Sequence, residues 1–175
     1  MTDTLVGTPF CADNIGPALQ VLLADCKQAL ELCDRPTGSA SIIPGSVSWD
    51  NCCEGGGQLW VRVQSITPQP RLGRSGGGQA GGIDAMQVKV GVGVIRCMHG
   101  LTEEGFPTSE QMTEDAMGQA LDATILFNAI RCSQYTPAVY KKSLHIADGV
   151  PLGPQGTCGG WEWSIAFNLG LCGSC

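Results

Sequence analysis

Histidine and charge are both scarce in this chain. Its 175 residues include two histidines, His99 and His145, and only 15% are charged. Catalytic triads and metal-bound waters usually call on histidine. A lone histidine near the end of a strand is expected to serve structure instead. Free monomers carry nearer ~25% charged residues, so the low charge hints that part of the surface is covered by something else. Basic residues are the scarcer sign, 10 Lys and Arg against 16 Asp and Glu, a net charge of −6. That balance argues against a nucleic-acid binder, whose footprint is a basic face. No apolar run approaches the ~20 residues that span a bilayer. The opening Met1-Thr-Asp-Thr-Leu-Val-Gly7 lacks a basic region followed by an apolar one, so Sec export is not expected. Neither G-x-S-x-G nor H-E-x-x-H occurs.

Glycine is plentiful, with 25 residues, yet the richest stretch does not form a phosphate cradle. No Gly-Lys-Ser/Thr follows the Gly73–Gly82 run, and the next element reads as a strand rather than a helix. Pro68–Gly82 is therefore expected to be a flexible loop, with Arg71 and Arg74 as candidate anchors for an acidic partner. The acidic residues Glu103, Glu104, Glu110, Glu114 and Asp115 flank a helix start, where they complement its dipole. No catalytic, cofactor-binding or metal-ligating set is expected, and the chain does not read as an enzyme.

The strongest positive signal lies in the closing residues. Trp161, Trp163, Ile165, Phe167 and Leu169 alternate with Glu162, Ser164, Ala166 and Asn168, which predicts a strand with one wholly apolar face on the core. The strand Met86–Val94 also alternates, with Gly91 and Gly93 on its second face. Those glycines are expected to let another backbone or helix approach closely. Strands are further predicted around Val47–Trp49, over Gln58–Thr67 and over Lys142–Ala147, with Val150–Gly156 a turn-rich bridge.

The first helix is capped by Asp13 or Asn14, tolerates Pro17 in its first turn and is stopped by Arg35–Gly38. Its stripe is Ile15, Leu19, Leu22, Cys26, Leu30 and Cys33. Thr108-Ser-Glu-Gln111 has capping-box form and opens a second helix with Met112, Ala116, Ala120, Thr124, Phe127 and Ile130 on its apolar side. Cys132 ends that stripe. The order α-β-β-β-α-β-β predicts an α+β fold, two helices packed on one mostly antiparallel sheet, in a single domain over 1–175.

Ten cysteines are many for a chain with no export signal. Cys26, Cys33 and Cys132 fit apolar stripes and need no other role. The remaining compact set is Cys52, Cys53, Cys158, Cys172 and Cys175. Disulfides, free thiols and zinc all stay open for it. Only Cys172-x2-Cys175 has zinc-pair spacing, and adjacent Cys52 and Cys53 point apart in an extended chain. Disulfides in an unexported protein are most easily explained if the protein leaves the cell in a particle.

The segment Trp49-Asp-Asn-Cys-Cys-Glu54 with Gly57-Gln-Leu-Trp-Val-Arg-Val63, the order of elements, and Gly159-Gly-Trp-Glu-Trp-Ser-Ile165 resemble small virion proteins of tailed phages of actinobacteria. Among these the chain is most similar to tail terminators of long non-contractile tails. The resemblance implies a homohexameric ring that caps the tail tube and joins it to the head-tail connector or stopper, with DNA passing through without specific binding. Its partners would be other copies of itself, the tail tube protein and the connector. It would be made in the host cytoplasm and end in the virion neck, with no membrane and no cofactor. Another neck or head-completion protein is the alternative, followed by a cysteine-rich redox or zinc-binding protein. The pair Cys172-x2-Cys175 does not sit at a helix N-terminus after a strand, where a redox thiolate is stabilised.

Overall fold

A computed structural model describes residues 15–47, 52–70, 83–100, 105–133 and 144–170. Helix α1 spans Gly16–Leu32, and strand β1 spans Ser39–Ile42. A 3-10 turn at Glu54–Gly56 leads into β2, Gln58–Pro70, which pairs with β3, Ile83–Cys97. Helix α2 covers Ser109–Cys132, followed by β4, His145–Gln155, and β5, Cys158–Gly170. The strands form one sheet in the order β1-β2-β3-β5-β4, and only the edge pair β1–β2 is parallel. This is the α+β class expected, with both helices on one face of a mostly antiparallel sheet.

The core lies between helices and sheet and follows from two periodicities. On α1, Ala18, Leu19, Leu22, Cys26 and Leu30 recur at helical spacing and are buried. Opposite them, Val88, Val90, Val92 and Val94 of β3 alternate at strand spacing, all at 0% exposure. β-Branched residues suit this central strand because their stiff side chains stack on the pleat. Ile165, Phe167 and Leu169 of β5 complete the layer. Each such burial is worth ~1.5–3 kcal/mol relative to exposure. Trp163 joins the layer half-buried. Its indole nitrogen donates to the Ala123 carbonyl at 2.8 Å, and its ring centroid lies 5.2 Å from that of Phe127. Trp161 is also only half-buried, so the apolar face of β5 is buried less completely toward its start than the alternation predicts.

Several elements differ from their sequence expectations. The first strand lies at Ser39–Ile42 and not at Val47–Trp49. Val47 belongs to an irregular connection and packs against the small cluster of Cys52, Trp60, Ile95 and Cys158, while 48 and 49 lie outside the described residues. β2 continues through Pro68 to Pro70, so the connection to β3 is shorter than Pro68–Gly82. Its residues 71–82, Arg71 and Arg74 included, lie outside the described residues. β4 runs from His145 through the supposed turn region to Gln155. It tolerates Pro151 and Pro154 because it is an edge strand, with one side of its backbone facing no neighbour in the sheet among the described residues. Pro151 stays in register opposite Trp161, Pro154 falls in a register shift between Leu152 and Gln155, and a further shift lies at Ile146/Asp148.

Helix α1 stops earlier than Arg35. Asp34 turns into the left-handed region at φ 57°, and the Arg35 amide donates back to the Leu30 carbonyl at 2.9 Å. Cys33 therefore leaves the stripe and is exposed. The proposed caps Asp13 and Asn14 lie outside the described residues. Helix α2 opens on the expected capping box: the Gln111 amide donates to Thr108 Oγ1 at 3.2 Å, and the Thr108 amide donates to Gln111 Oε1 at 2.8 Å.

The buried side of α2, however, is Asp122, Ala123, Ile125, Leu126 and Ile130. Met112, Ala116, Ala120 and Thr124 are exposed, and so is Cys132. The last steps of the expected stripe, of three, reach the half-buried Phe127 and the buried Ile130, but from Met112 to Thr124 it advanced in steps of four. Each such step drifts about 40° around a helix of 3.6 residues per turn, so the line leaves the core-facing side.

Candidate functional site

The sheet face opposite the helices carries the most specific chemistry. The connection between β1 and β2 returns across this face, since β1 and β2 run parallel and the chain must cross back. It brings Cys52 and Cys53 to one end of the sheet. There β3 and β5 are paired at Cys97 and Cys158. Cys52 is bonded to Cys158 and Cys53 to Cys97. Adjacent cysteines that point apart thus clamp one loop to two neighbouring strands. The Cys52–Cys158 bridge is buried, whereas Cys53 and Cys97 are exposed. Cys97 was missing from the expected set because it ends an alternating strand and has no short-spaced partner. Only the β3–β5 register puts it beside Cys158. Cys172 and Cys175 lie outside the described residues.

Trp60, Ile95, Cys52 and Cys158 form a small second core on this face, with Ile43, Val47 and Leu152 around it. Gly57 allows the loop to enter. Its φ is 105°, and a β-carbon there would lie 2.2 Å from the Ile95 carbonyl oxygen. Next to this core sits Glu162, 5% exposed. Four donors converge on its carboxylate. Trp60 Nε1 and Arg62 Nε donate to Oε2, each at 2.9 Å. Arg62 Nη2 and Gln64 Nε2 donate to Oε1 at 2.8 and 3.0 Å.

Arg62 also donates through Nη1 to the Gly45 carbonyl at 2.9 Å, tying the overlying connection to the sheet. Burial alone would raise the Glu162 pKa. The hydrogen bonds from Arg62, Trp60 and Gln64 and the Arg62 charge outweigh it and hold the carboxyl below the ordinary glutamate value.

The glycines of β3 make this cluster possible. A β-carbon on Gly93 would lie 2.4 Å from the Trp60 ring, and one on Gly91 would lie 2.9 Å from the Glu162 carboxyl carbon. The glycine face thus admits side chains from the neighbouring strands and, at Gly93, also the β5 backbone, where a β-carbon would lie 2.7 Å from the Trp161 carbonyl oxygen.

A second buried carboxylate, Asp122 on α2, joins three parts of the chain. Arg35 Nη2 donates to it at 2.8 Å and Arg96 Nε at 2.7 Å. Arg96 reaches further, to the carbonyls of Arg35 at 2.7 Å and Pro36 at 2.9 Å. Asp122 is 2% exposed, so its charge is compensated by two guanidinium groups at once. Nothing in a helical stripe of small and apolar residues announces this aspartate. An acidic residue at a core-facing angle of α2, with one arginine just past the end of α1 and another near the end of β3, is the signal present in the sequence.

His99 follows β3 and is held by Asp115. Its amide donates to Oδ2 at 2.9 Å, and its Nδ1 lies 3.1 Å from Oδ1. Asp115 thereby fastens the strand exit to the helix start, while Glu110 and Glu114 are exposed. His145 opens β4 and is exposed. Cys26 is fully buried, and burial, then the neighbouring Asp25, push its thiol up to about 12. It is a core side chain without nucleophilic character at neutral pH.

Among the described residues, no group of three or more His, Cys, Asp or Glu is arranged to hold a metal ion. No helix among them is long and apolar enough to cross a membrane. The site as built clamps and orients; its carboxylates are saturated with donors from within the chain. No protein-family model matches this chain, and no curated protein matches it.

Proposed function

We propose that this chain is a structural subunit of a tailed-phage virion, a tail terminator. Copies would form a ring, six in number by the resemblance, between the tail tube and the head-tail connector. The observation that carries the reading is where the two resembling segments meet. Trp60 and Arg62 come from the first and Glu162 from the second, and they close on one another in a single buried cluster. Residues that carry the likeness are thus the residues that hold together the sheet face opposite the helices.

Two further features support the reading. The net charge of −6 would let a ring pass DNA by repelling its phosphates. Two disulfides suit a protein that must persist in an oxidising exterior after the particle leaves its host. As a ring subunit it would need no catalytic group.

The test is to tag the protein in the phage that encodes it and image labelled particles, alongside a deletion. A single ring of label between head and tail is expected. In the deletion, filled heads and separate tails should accumulate, with tails of irregular length because the tube is no longer capped. Label repeated along the tube, or no label in particles, overturns the proposal. A neck label with normal tail lengths assigns the chain to another neck or head-completion protein.

A further inference from the structure

Helix α2 is apolar on two sides. Its inner side packs on α1 and the sheet through Ile125, Leu126 and Ile130. At about 100° per residue, Met117, Ala120, Leu121 and Thr124 share the opposite side. Met117 is 67% exposed and Leu121 48%. Two large apolar side chains so exposed one turn apart give this face an apolar centre. The same face ends in Glu110 at one extremity and Arg131 at the other, both exposed. Neither has an ion-pair partner among the described residues. The rise of ~1.5 Å per residue sets them about 30 Å apart.

We propose that this face is a two-fold contact between copies of this chain, with the two α2 helices antiparallel. A two-fold axis makes a surface meet itself, so whatever lies at one end must complement what lies at the other. With the axis between Ala120 and Leu121, each Leu121 meets the small Ala120 across the interface, and each Met117 meets Thr124. Large side chains fall against small ones, which lets the helices approach closely. The same register sets Glu110 against Arg131 at both ends. A parallel arrangement would instead set like charge against like charge. The antiparallel one also opposes the two helix dipoles. The face is self-complementary in size and in charge, which singles out a second copy as its occupant.

This contact does not rest on the ring reading. Ring contacts are head-to-tail, joining two different patches, whereas this one joins a patch to itself. The experiment measures the mass of the purified full-length protein by light scattering on a sizing column. The wild type is expected at an even multiple of the 18.3 kDa chain. E110R alone and R131E alone should each halve that mass, because each places like charges at both ends. The combined E110R/R131E should restore it. M117K/L121K should also halve the mass with an unchanged far-UV circular dichroism spectrum, which separates lost contact from lost fold.

A wild-type monomer overturns the proposal, as does a mass indifferent to these variants or a double reversal that fails to restore it. A sixfold species indifferent to all of them would leave the ring standing and remove the two-fold contact. Loss of neck labelling with charge-dependent pairing intact would do the reverse.

Discussion

Replacing Glu162 with Gln changes one atom type, yet it should be among the most damaging conservative substitutions in this protein. Each carboxylate oxygen accepts two hydrogen bonds, from Trp60, Arg62 and Gln64. An amide keeps one acceptor oxygen and turns an NH2 group on the other two donors. If the amide oxygen keeps the Trp60 side, Arg62 Nη2 and Gln64 Nε2 face a donor; in the other orientation, Trp60 Nε1 and Arg62 Nε do. Hydrogen bonds to a charged group are worth ~1.5–3 kcal/mol each, and a buried unsatisfied donor costs ~1–3 kcal/mol. The Arg62 side chain is 25% exposed and can recover part of its loss in water. The net expectation is a loss of roughly 3 kcal/mol, near the low end of what breaking a buried pair costs.

For a chain of this length that is a fall in Tm of roughly 6–12 °C. Thermal and urea unfolding followed by circular dichroism without reductant would measure it. The pH dependence supplies an independent check. The folded-state pKa of Glu162 lies below its unfolded value. Its contribution is therefore fully present above the ordinary glutamate pKa and is lost as pH falls through the lowered folded value. The wild type should lose stability over that acid range, and Glu162→Gln should lose less. A Tm shift under about 2 °C, on the scaling of ~2–4 °C per kcal/mol, together with an unchanged acid limb, would refute the convergence of donors on this carboxylate.

Three other outcomes follow from the same geometry. Trp163→Ala should cost about 2–4 kcal/mol in urea unfolding, below the top of the range for a fully buried aromatic because the indole is half-exposed, and an unchanged midpoint would show that it does not pack on Phe127. Asp122→Ala should destabilise by ~3–5 kcal/mol, since it strands Arg35 and Arg96, and adding Arg35→Ala should cost much less than it does alone, read by a double-mutant cycle. Brief iodoacetamide treatment with peptide mass mapping should label Cys33 and Cys132 in the folded protein and Cys26 only after unfolding, and early labelling of Cys26 would contradict its burial.

Local periodicity was enough for the elements that bury one clean face. β5, β3 and α1 were legible because period-two or period-3.6 patterns leave only one way to face a core, and the capping box at Thr108 marked the start of α2. Where two patterns competed, the chain alone was ambiguous. The second helix has apolar residues on both sides, and only the presence of α1 and the sheet decided that Leu126 and not Met117 turns inward. β1 and β4 are edge strands, one short and one interrupted by prolines. β1 draws its pairing from β2, with Ser39 opposite Gln58, which no short window contains, whereas β4 pairs with β5 in a hairpin closed at Gln155 and Cys158 and is hidden by its prolines and register shifts.

The cysteine pairing and the two carboxylate clusters depend on contacts far apart along the chain, 106 residues for Cys52–Cys158 and 100 for Arg62–Glu162. The sequence determined which side chains lie on each face of a strand. The register of β3 on β5, set by packing the valine face against the helices, decided that Cys97 falls beside Cys158. Pairing β2 and β5 on either side of β3 brought Trp60, Arg62 and Glu162 together over two glycines. A one-residue slip in either pairing would have turned these groups to the opposite face, so the long-range register determines the site.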